Sequence, residues 1–173
     1  MNPIRLKGLV AGLLILWLLA SACSREDDVV TLQALIKKGS ALAEKHDIPG
    51  LLGLTSGDFT ASPGGHDRQG VKGILGLAFR HYGPLRVLYP RPGIDLGPSK
   101  QRASGTVYFM IVKKELSYPG LEALYSNPRA WLAEAGENAD LYRLKLEFKK
   151  TSGKWIVVSA RLDPFRGLGF EPD

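Results

Sequence analysis

Apolar residues in the first half of the chain recur with the period of an α-helix. One stripe comprises Leu32, Leu35, Ile36, Gly39, Leu42 and Ala43. A second stripe comprises Val71, Ile74, Leu75, Ala78, Phe79 and Tyr82, preceded by Asp67 at a capping position. Because residues three or four apart share one face of a helix, the pattern predicts two amphipathic helices. The first is expected to end near residues 46–47, and a short apolar turn or helix is expected at 51–54.

After Gly83 the apolar period changes to that of a strand. Apolar and polar residues alternate over 85–89, and prolines follow at 90 and 92, which predicts an edge strand or a kinked one. Residues 106–112 are apolar or β-branched on both faces, as in a central strand covered on two sides. The second half of the chain is therefore expected to form a sheet.

The most regular alternation lies in residues 140–149. Its apolar positions are Tyr142, Leu144, Leu146 and Phe148, and its charged positions are Arg143, Lys145, Glu147 and Lys149. Such a strand buries one face and exposes the other to water. With a turn at 151–153 and a further apolar strand at 155–162, the pattern predicts a closing hairpin.

Two features interrupt these elements. Gly70, Gly73 and Gly76 lie three residues apart in the second long helix, where each weakens the helix by up to about 1 kcal/mol relative to alanine. They form either a small-residue face against another backbone or a set of tolerated positions. The connection at 116–139 is long, and residues 126–128 could start a short helix within it.

The first residues have the order of a signal peptide. Arg5 and Lys7 precede an apolar run at 8–20, which is shorter than the roughly 20 residues that a membrane-spanning helix needs. Small residues at 20–22 then lead to Cys23, the single cysteine of the chain. We expect residues 1–22 to be removed, and residues 23–28 to form a polar, acidic tether.

The segment Ala20-Ser21-Ala22-Cys23 resembles the lipobox of bacterial lipoproteins, although that family prefers leucine at the position of Ala20. The resemblance implies that the Cys23 sulfur carries a diacylglycerol and that the new amino terminus is acylated, for example by palmitate. Ser24 after the cysteine implies, by the same resemblance, an outer-membrane location facing the periplasm. Ordinary secretion after cleavage at Ala22 is the first alternative, and an uncleaved membrane anchor is the last.

Composition limits the function classes. The chain has 173 residues, one cysteine and a formal net charge of +6, which falls by two when Arg5 and Lys7 are removed. No internal disulfide can form, and no clustered basic stripe or reading motif predicts nucleic-acid binding. The lysines of the closing hairpin form either a cationic patch or a solvated edge: Lys145, Lys149, Lys150 and Lys154.

The order of helices, capped helix and sheet, closed by Gly153-Lys154-Trp155 at the hairpin, resembles the nuclear transport factor 2-like fold over residues 29–165, with 166–173 as a tail. The resemblance implies an α+β domain whose amino-terminal helices pack in a curved, cone-shaped antiparallel sheet. Members of that family use the interior of the cone for binding small molecules, for isomerase or dehydratase chemistry, or for assembly.

Enzymatic members similar to ketosteroid isomerase use a carboxylate base and a tyrosine proton donor inside the cone. By this resemblance the candidate residues are Asp47, Asp58, Tyr82, Tyr108 and Tyr142. The alternative is that the two aspartates cap helices or turns and that the tyrosines fill the core.

Other chemistry lacks a motif. His46, His66 and His81 have no metal-ligand spacing, so neither a metal nor another cofactor is expected. No nucleophile elbow and no phosphate-binding glycine loop occurs.

Two functions from different classes remain open. The first is a non-catalytic module of the cell envelope, anchored to a membrane by its lipid, that binds a small apolar ligand or a partner protein. The second is a small periplasmic enzyme of the isomerase, dehydratase or hydrolase type. A homodimer that pairs through the exposed face of the sheet is a further expectation.

Overall fold

The computed structural model describes residues 27–113, 126–127, 130 and 139–164. Residues 27–44 are helical and are called α1. The other helices are α2 (Ile48–Leu52) and α3 (Arg68–Tyr82). The strands are β1 (Thr55–Ser62), β2 (Leu85–Leu88), β3 (Gly93–Leu96), β4 (Arg102–Lys113), β5 (Ala139–Thr151) and β6 (Lys154–Pro164). Among the described helices, none combines the length and the apolar character needed to cross a bilayer.

Two aspartates begin helices by capping. The carboxylate of Asp47 accepts a hydrogen bond from the Gly50 backbone N–H at 2.8 Å, at the start of α2. The carboxylate of Asp67 accepts an equivalent bond from the Gly70 N–H at 2.8 Å, at the start of α3. Each bond pairs an amide that has no partner within the helix itself. The predicted cap at Asp67 is confirmed, and Asp47 has the capping role that was its alternative interpretation.

The six strands form one mixed sheet in the order β1-β6-β5-β4-β2, with β3 also paired to β4. All pairings are antiparallel except that of β1, which runs parallel to β6. The expected purely antiparallel sheet is therefore wrong in this respect, because the pattern did not predict β1. The predicted edge position of β2 is confirmed. On this edge strand, the backbone N–H of Val87 donates a hydrogen bond to the Glu44 carboxylate at 2.9 Å.

Residues paired directly across antiparallel strands lie on the same face of the sheet, and the faces alternate along each strand. Tyr142 pairs with Phe109, whereas the next residue, Arg143, pairs with Tyr108. We call the face with Phe109 and Tyr142 the core face, and the face with Tyr108 and Arg143 the outer face. The predicted alternation of residues 140–149 is confirmed.

The core joins α1 to the core face of the sheet. Its buried members are Leu32, Ile36, Phe59, Leu96, Ala103, Val107, Phe148, Trp155 and Val157. Leu32 and Phe148 are only 0% and 1% exposed. At about 25 cal/mol per Å² of apolar surface, burial of a large side chain contributes about 2 kcal/mol relative to exposure. These side chains fill the space between α1 and the core face of the sheet.

The first described turn of α1 is tied to the closing hairpin. Asp28 is 8% exposed, and its Oδ1 accepts hydrogen bonds from Lys150 Nζ at 2.6 Å and from Trp155 Nε1 at 2.9 Å. Residues 27 and 28, which the pattern assigned to the tether, are helical here. Lys150 thus points to the helix rather than joining an exposed patch with its neighbouring lysines.

Among the described residues, no other backbone lies close to Gly73 or Gly76 in α3. A methyl group added at Gly73 would meet no described atom within 4 Å, and one at Gly76 would meet only the end of Ile48, at 4.0 Å. At Gly70 the nearest atom is Cβ of His66, at 3.2 Å. The glycines are therefore tolerated positions. The connection at 116–139 lies almost wholly outside the described residues.

Candidate functional site

Three polar side chains converge where β5 begins and α3 ends. The hydroxyl oxygen of Tyr82 lies 2.5 Å from Asp140 Oδ2 and 2.9 Å from the hydroxyl oxygen of Tyr142. Asp140 is exposed, and the two tyrosines are partly buried. We call these three residues the Tyr–Asp site.

Local structure explains this convergence. Asp140 and Tyr142 are two residues apart in β5, so both lie on the core face. Tyr82 is the last residue of α3 and ends its apolar stripe. The ring of Phe109 on β4 stacks on the ring of Tyr142, with centroids 5.5 Å apart and planes at 27°. An apolar aromatic surface therefore borders the polar cluster.

The cluster keeps the Tyr82 hydroxyl neutral. Burial, followed by the hydrogen bonds with Asp140 and Tyr142, raises the pKa of Tyr82 well above its ordinary value. A neutral tyrosine with a raised pKa holds its proton more firmly than a free phenol does. Since a general acid or base works best with a pKa near the working pH, this change disfavours proton transfer by Tyr82.

The other candidate residues lie elsewhere. Asp47 caps α2, and Asp58 is exposed on β1, where the Ser56 hydroxyl and the backbone amide of Asp58 lower the pKa of its carboxyl. Tyr108 is on the outer face, paired with Arg143. The structure thus brings together two of the five candidates, Tyr82 and Tyr142, and neither of the two aspartates.

Sequence reasoning missed Asp140. Its signal was the strand period, because a residue two positions from Tyr142 shares its face. That Tyr82 reaches the same point depends on how α3 packs on the sheet, which no local pattern specifies.

The outer face carries a separate polar cluster. Arg143 Nη2 lies 3.2 Å from Asp163 Oδ2, and Arg161 Nε lies 3.1 Å from Asp163 Oδ1. Asp163 would have a raised pKa from burial alone, but hydrogen bonds from the two arginines lower it. Partly exposed ion pairs of this kind contribute little to stability. We assign this cluster to the pairing of β5 with β6.

The three histidines lie in different environments. The His46 ring stacks on Phe79 with centroids 4.6 Å apart and planes at 11°, and its buried Nε2 has no hydrogen-bond partner among the described residues. His66 pairs through its backbone with Ala61, and His81 is exposed beside Tyr82. Within the described ranges, no three histidine, cysteine, aspartate or glutamate residues are grouped as metal ligands. Cys23, the predicted lipidation residue, lies outside those ranges.

No protein-family model and no curated protein sequence matches the chain. Solved structures do match it. An NTF2-like protein with a cystatin-like fold from Novosphingobium aromaticivorans is 14% identical, with a TM-score of 0.62 over 87% of this chain and 90% of that one. A protein from the same organism, proposed to be a scytalone dehydratase, is 12% identical, with a TM-score of 0.61 over 88% and 93%.

A third structure, from Nostoc punctiforme, is of a protein of unknown function with a cystatin-like fold. It is 14% identical, with a TM-score of 0.60 over 80% of this chain and 92% of that one. At such identities the likeness is one of fold. The chain is an α+β protein with the NTF2-like, cystatin-like fold.

Proposed function

We propose that this chain is a lipid-anchored protein of the bacterial cell envelope whose NTF2-like domain binds a small, largely apolar ligand without transforming it. The observation that carries the binding function is the Tyr–Asp site, where two tyrosine hydroxyls and a carboxylate form a fixed polar group beside the ring of Phe109. Sites for small molecules commonly combine an apolar wall with a few polar groups that orient the ligand.

The position of the core favours a ligand at the end of the sheet where β5 begins. Leu32, Phe148 and Trp155 fill the core on the side of the closing hairpin and leave their side chains almost no exposed surface. Tyr82 and Tyr142 remain partly exposed. A ligand that contacts the Tyr–Asp site would therefore cover accessible aromatic surface without displacing the core.

Two features favour binding over catalysis. The aspartates expected to act as bases, Asp47 and Asp58, are not part of the Tyr–Asp site, and Asp47 is already engaged as a cap. The raised pKa of Tyr82, caused by burial and by its bonds to Asp140 and Tyr142, suits a hydroxyl that positions a ligand. It does not suit one that exchanges a proton near neutral pH.

Lipid attachment is proposed from the sequence around Cys23. The short apolar run at 8–20 and the small residues at 20–22 are typical of a lipoprotein signal, and two or more acyl chains hold a protein firmly on a membrane. Residue 27 is already helical, so residues 24–26 alone would separate the lipid from α1. The four residue steps from Cys23 to residue 27 span at most about 14 Å, which would keep the domain close to the membrane surface.

A second function is favoured by one observation. The buried Nε2 of His46 has no partner among the described residues, and an imidazole nitrogen in that condition is a candidate acid or base. A structure with the same fold is proposed to be a scytalone dehydratase. The alternative function is therefore a small periplasmic dehydratase or isomerase that uses a tyrosine with His46 or a carboxylate.

Ring-labelled tyrosine and NMR would test the binding function. We expect benzyl alcohol, added to the purified protein, to shift the ring signals of Tyr82 and Tyr142 and to leave that of Tyr108 unchanged. Tyr108 is a matched internal control, since it lies beside Tyr142 in sheet register but on the opposite face. Uniform shifts, or none at Tyr82 and Tyr142, would show that the site does not bind such ligands.

An activity assay distinguishes the enzymatic function from the binding function. We expect no conversion of scytalone above that of a Tyr82→Phe/Tyr142→Phe double variant. Turnover by the native protein that is lost in His46→Gln and in the double variant would replace the binding function with the enzymatic one.

A further inference from the structure

We propose that the Tyr–Asp site recognises ligands by hydrogen bonds that the ligand donates, so that its ligand carries an amine or a hydroxyl group on an apolar body. This inference rests on the proposed function, because it names the class of ligand for that same site.

The direction of each hydrogen bond follows from the number of hydrogens present. A carboxylate has no hydrogen to donate, so Tyr82 donates in its 2.5 Å contact with Asp140 Oδ2. A phenol has a single hydroxyl hydrogen, so Tyr82 has none left for Tyr142. In the 2.9 Å contact between the two hydroxyls, Tyr142 is then the donor and Tyr82 the acceptor.

This chain of bonds leaves the site with acceptors only. Both hydroxyl hydrogens are used, one by Asp140 and one by Tyr82. What remains for a ligand is a lone pair on the Tyr142 oxygen and the carboxylate oxygen Oδ1 of Asp140, which has no hydrogen of its own. A ligand that donates completes the chain without breaking either existing bond.

A ligand that can accept hydrogen bonds but not donate them would have to break an existing bond of the site. To bond it, Tyr142 must turn its hydrogen away from Tyr82, or Tyr82 must turn its hydrogen away from Asp140. Otherwise a carbonyl or carboxylate oxygen faces lone pairs and a negative charge. A hydrogen bond that involves a charged group contributes about 1.5 kcal/mol or more, which is roughly tenfold in affinity. We therefore expect at least about tenfold discrimination between donors and acceptors.

The surroundings fit the same ligand class. The rings of Phe109 and Tyr142 stack next to the acceptors and offer apolar surface to the ligand body. For an amine, the charge of Asp140 and the faces of these rings add further attraction. Because both hydroxyl hydrogens of the site are already used, the site is also unsuited to oxyanion chemistry, since stabilising a developing oxyanion requires donors aimed at it.

Four aromatic probes of similar size test the inference: benzylamine, benzyl alcohol, anisole and benzoate. The first two donate hydrogen bonds, and the last two only accept. Calorimetric titration of the full chain in lipid nanodiscs, with partition into empty nanodiscs subtracted, gives the affinities. We expect benzylamine and benzyl alcohol to bind at least about tenfold more tightly than anisole and benzoate.

Matched variants assign the effect to the site. Tyr142→Phe removes one of the two free acceptors and keeps the ring, so we expect the advantage of benzyl alcohol over anisole to shrink. Tyr108→Phe makes the same change on the outer face and should leave all four affinities unchanged. Asp140→Asn should weaken benzylamine more than benzyl alcohol, which distinguishes a charged from a neutral donor.

The two proposals fail in different ways. If anisole or benzoate binds as tightly as the donors, and Tyr142→Phe weakens that binding, the site binds ligands but the inference is wrong. If none of the four probes binds in a way that depends on Tyr142, the binding function itself is overturned.

Discussion

Asp28 shows how one buried charge determines local structure. Burial alone would raise the pKa of this carboxyl, but hydrogen bonds from Lys150 and Trp155 outweigh that effect and lower it. The two partners lie 122 and 127 residues further along the chain, at the closing hairpin. Because a buried carboxylate without partners is strongly destabilising, these bonds hold the start of α1 against β5 and β6.

Replacement of Asp28 measures how much its hydrogen bonds to Lys150 and Trp155 stabilise the fold. Asp28→Asn keeps an oxygen that can accept from Trp155 but removes the charge that pairs with Lys150. We expect unfolding free energy to fall by about 2 kcal/mol. Urea unfolding followed by circular dichroism gives this value. Asp27→Asn, at the neighbouring exposed residue, is the matched control and should change stability by less than about 0.5 kcal/mol. Equal effects of both variants would show that the bonds to Lys150 and Trp155 contribute nothing.

The same carboxyl predicts a pH dependence. Its folded pKa is below its unfolded value of 3.8, so the unfolded chain binds its proton first as pH falls. The stability from Asp28 should be complete above about pH 5 and should be lost as pH falls through the lower, folded pKa. The stability difference between native protein and Asp28→Asn should therefore shrink between pH 6 and pH 3. A difference that stays constant over this range would contradict the assignment.

Elements with a strong period were predictable. The stripe and cap of α3 and the alternation of β5 specify both the type and the face of each element. β1 has no such period: only Ser56 and Phe59 are buried in it, and its pairing with β6 is irregular between Thr55 and Thr60. β3 has four residues and begins directly after the prolines at 90 and 92. Long-range pairing, which local pattern does not record, stabilises both strands.

The candidate site was predictable in part. The strand period placed Tyr142 on the core face, and the helical stripe placed Tyr82 toward the core. Their meeting with Asp140 joins the end of a helix to the start of a strand 58 residues away. Residue type alone favours the aspartates near turns, Asp47 and Asp58, where aspartate commonly caps. The packing of α3 on the sheet selects Asp140 instead.

Helix α3 offers a test at the scale of an element. At Gly73 a methyl group would meet no atom of the described residues within 4 Å, so Gly73→Ala should stabilise the protein by about 0.5 to 1 kcal/mol through helix propensity. Gly83 ends the same helix at a φ of 62°, so Gly83→Ala should destabilise it by about 1 to 3 kcal/mol. Thermal unfolding of both variants checks the opposite signs. Destabilisation by Gly73→Ala would mean that another surface packs on this face of α3.

At the scale of the whole molecule, the proposed lipid anchor at Cys23 and the Tyr–Asp site lie toward opposite ends of strand β5. Asp28, close to Cys23 in the chain, contacts Lys150 at the hairpin end of β5, whereas Asp140 lies near the other end of that strand. β5 has 13 residues, which corresponds to roughly 40 Å along an extended strand. A lipid on Cys23 would thus hold the hairpin end near the membrane and leave the Tyr–Asp site toward the aqueous side, where a soluble ligand can reach it.

Intact mass spectrometry of the protein extracted from bacterial membranes tests the proposed anchoring most directly. The proposal predicts a chain that begins at Cys23 and carries the added mass of a diacylglycerol and an acyl group. Cys23→Ala should lack this added mass and should leave the membrane fraction. A membrane-extracted chain that still begins at Met1, or one without lipid mass, would contradict the proposal of a lipid-anchored binding protein.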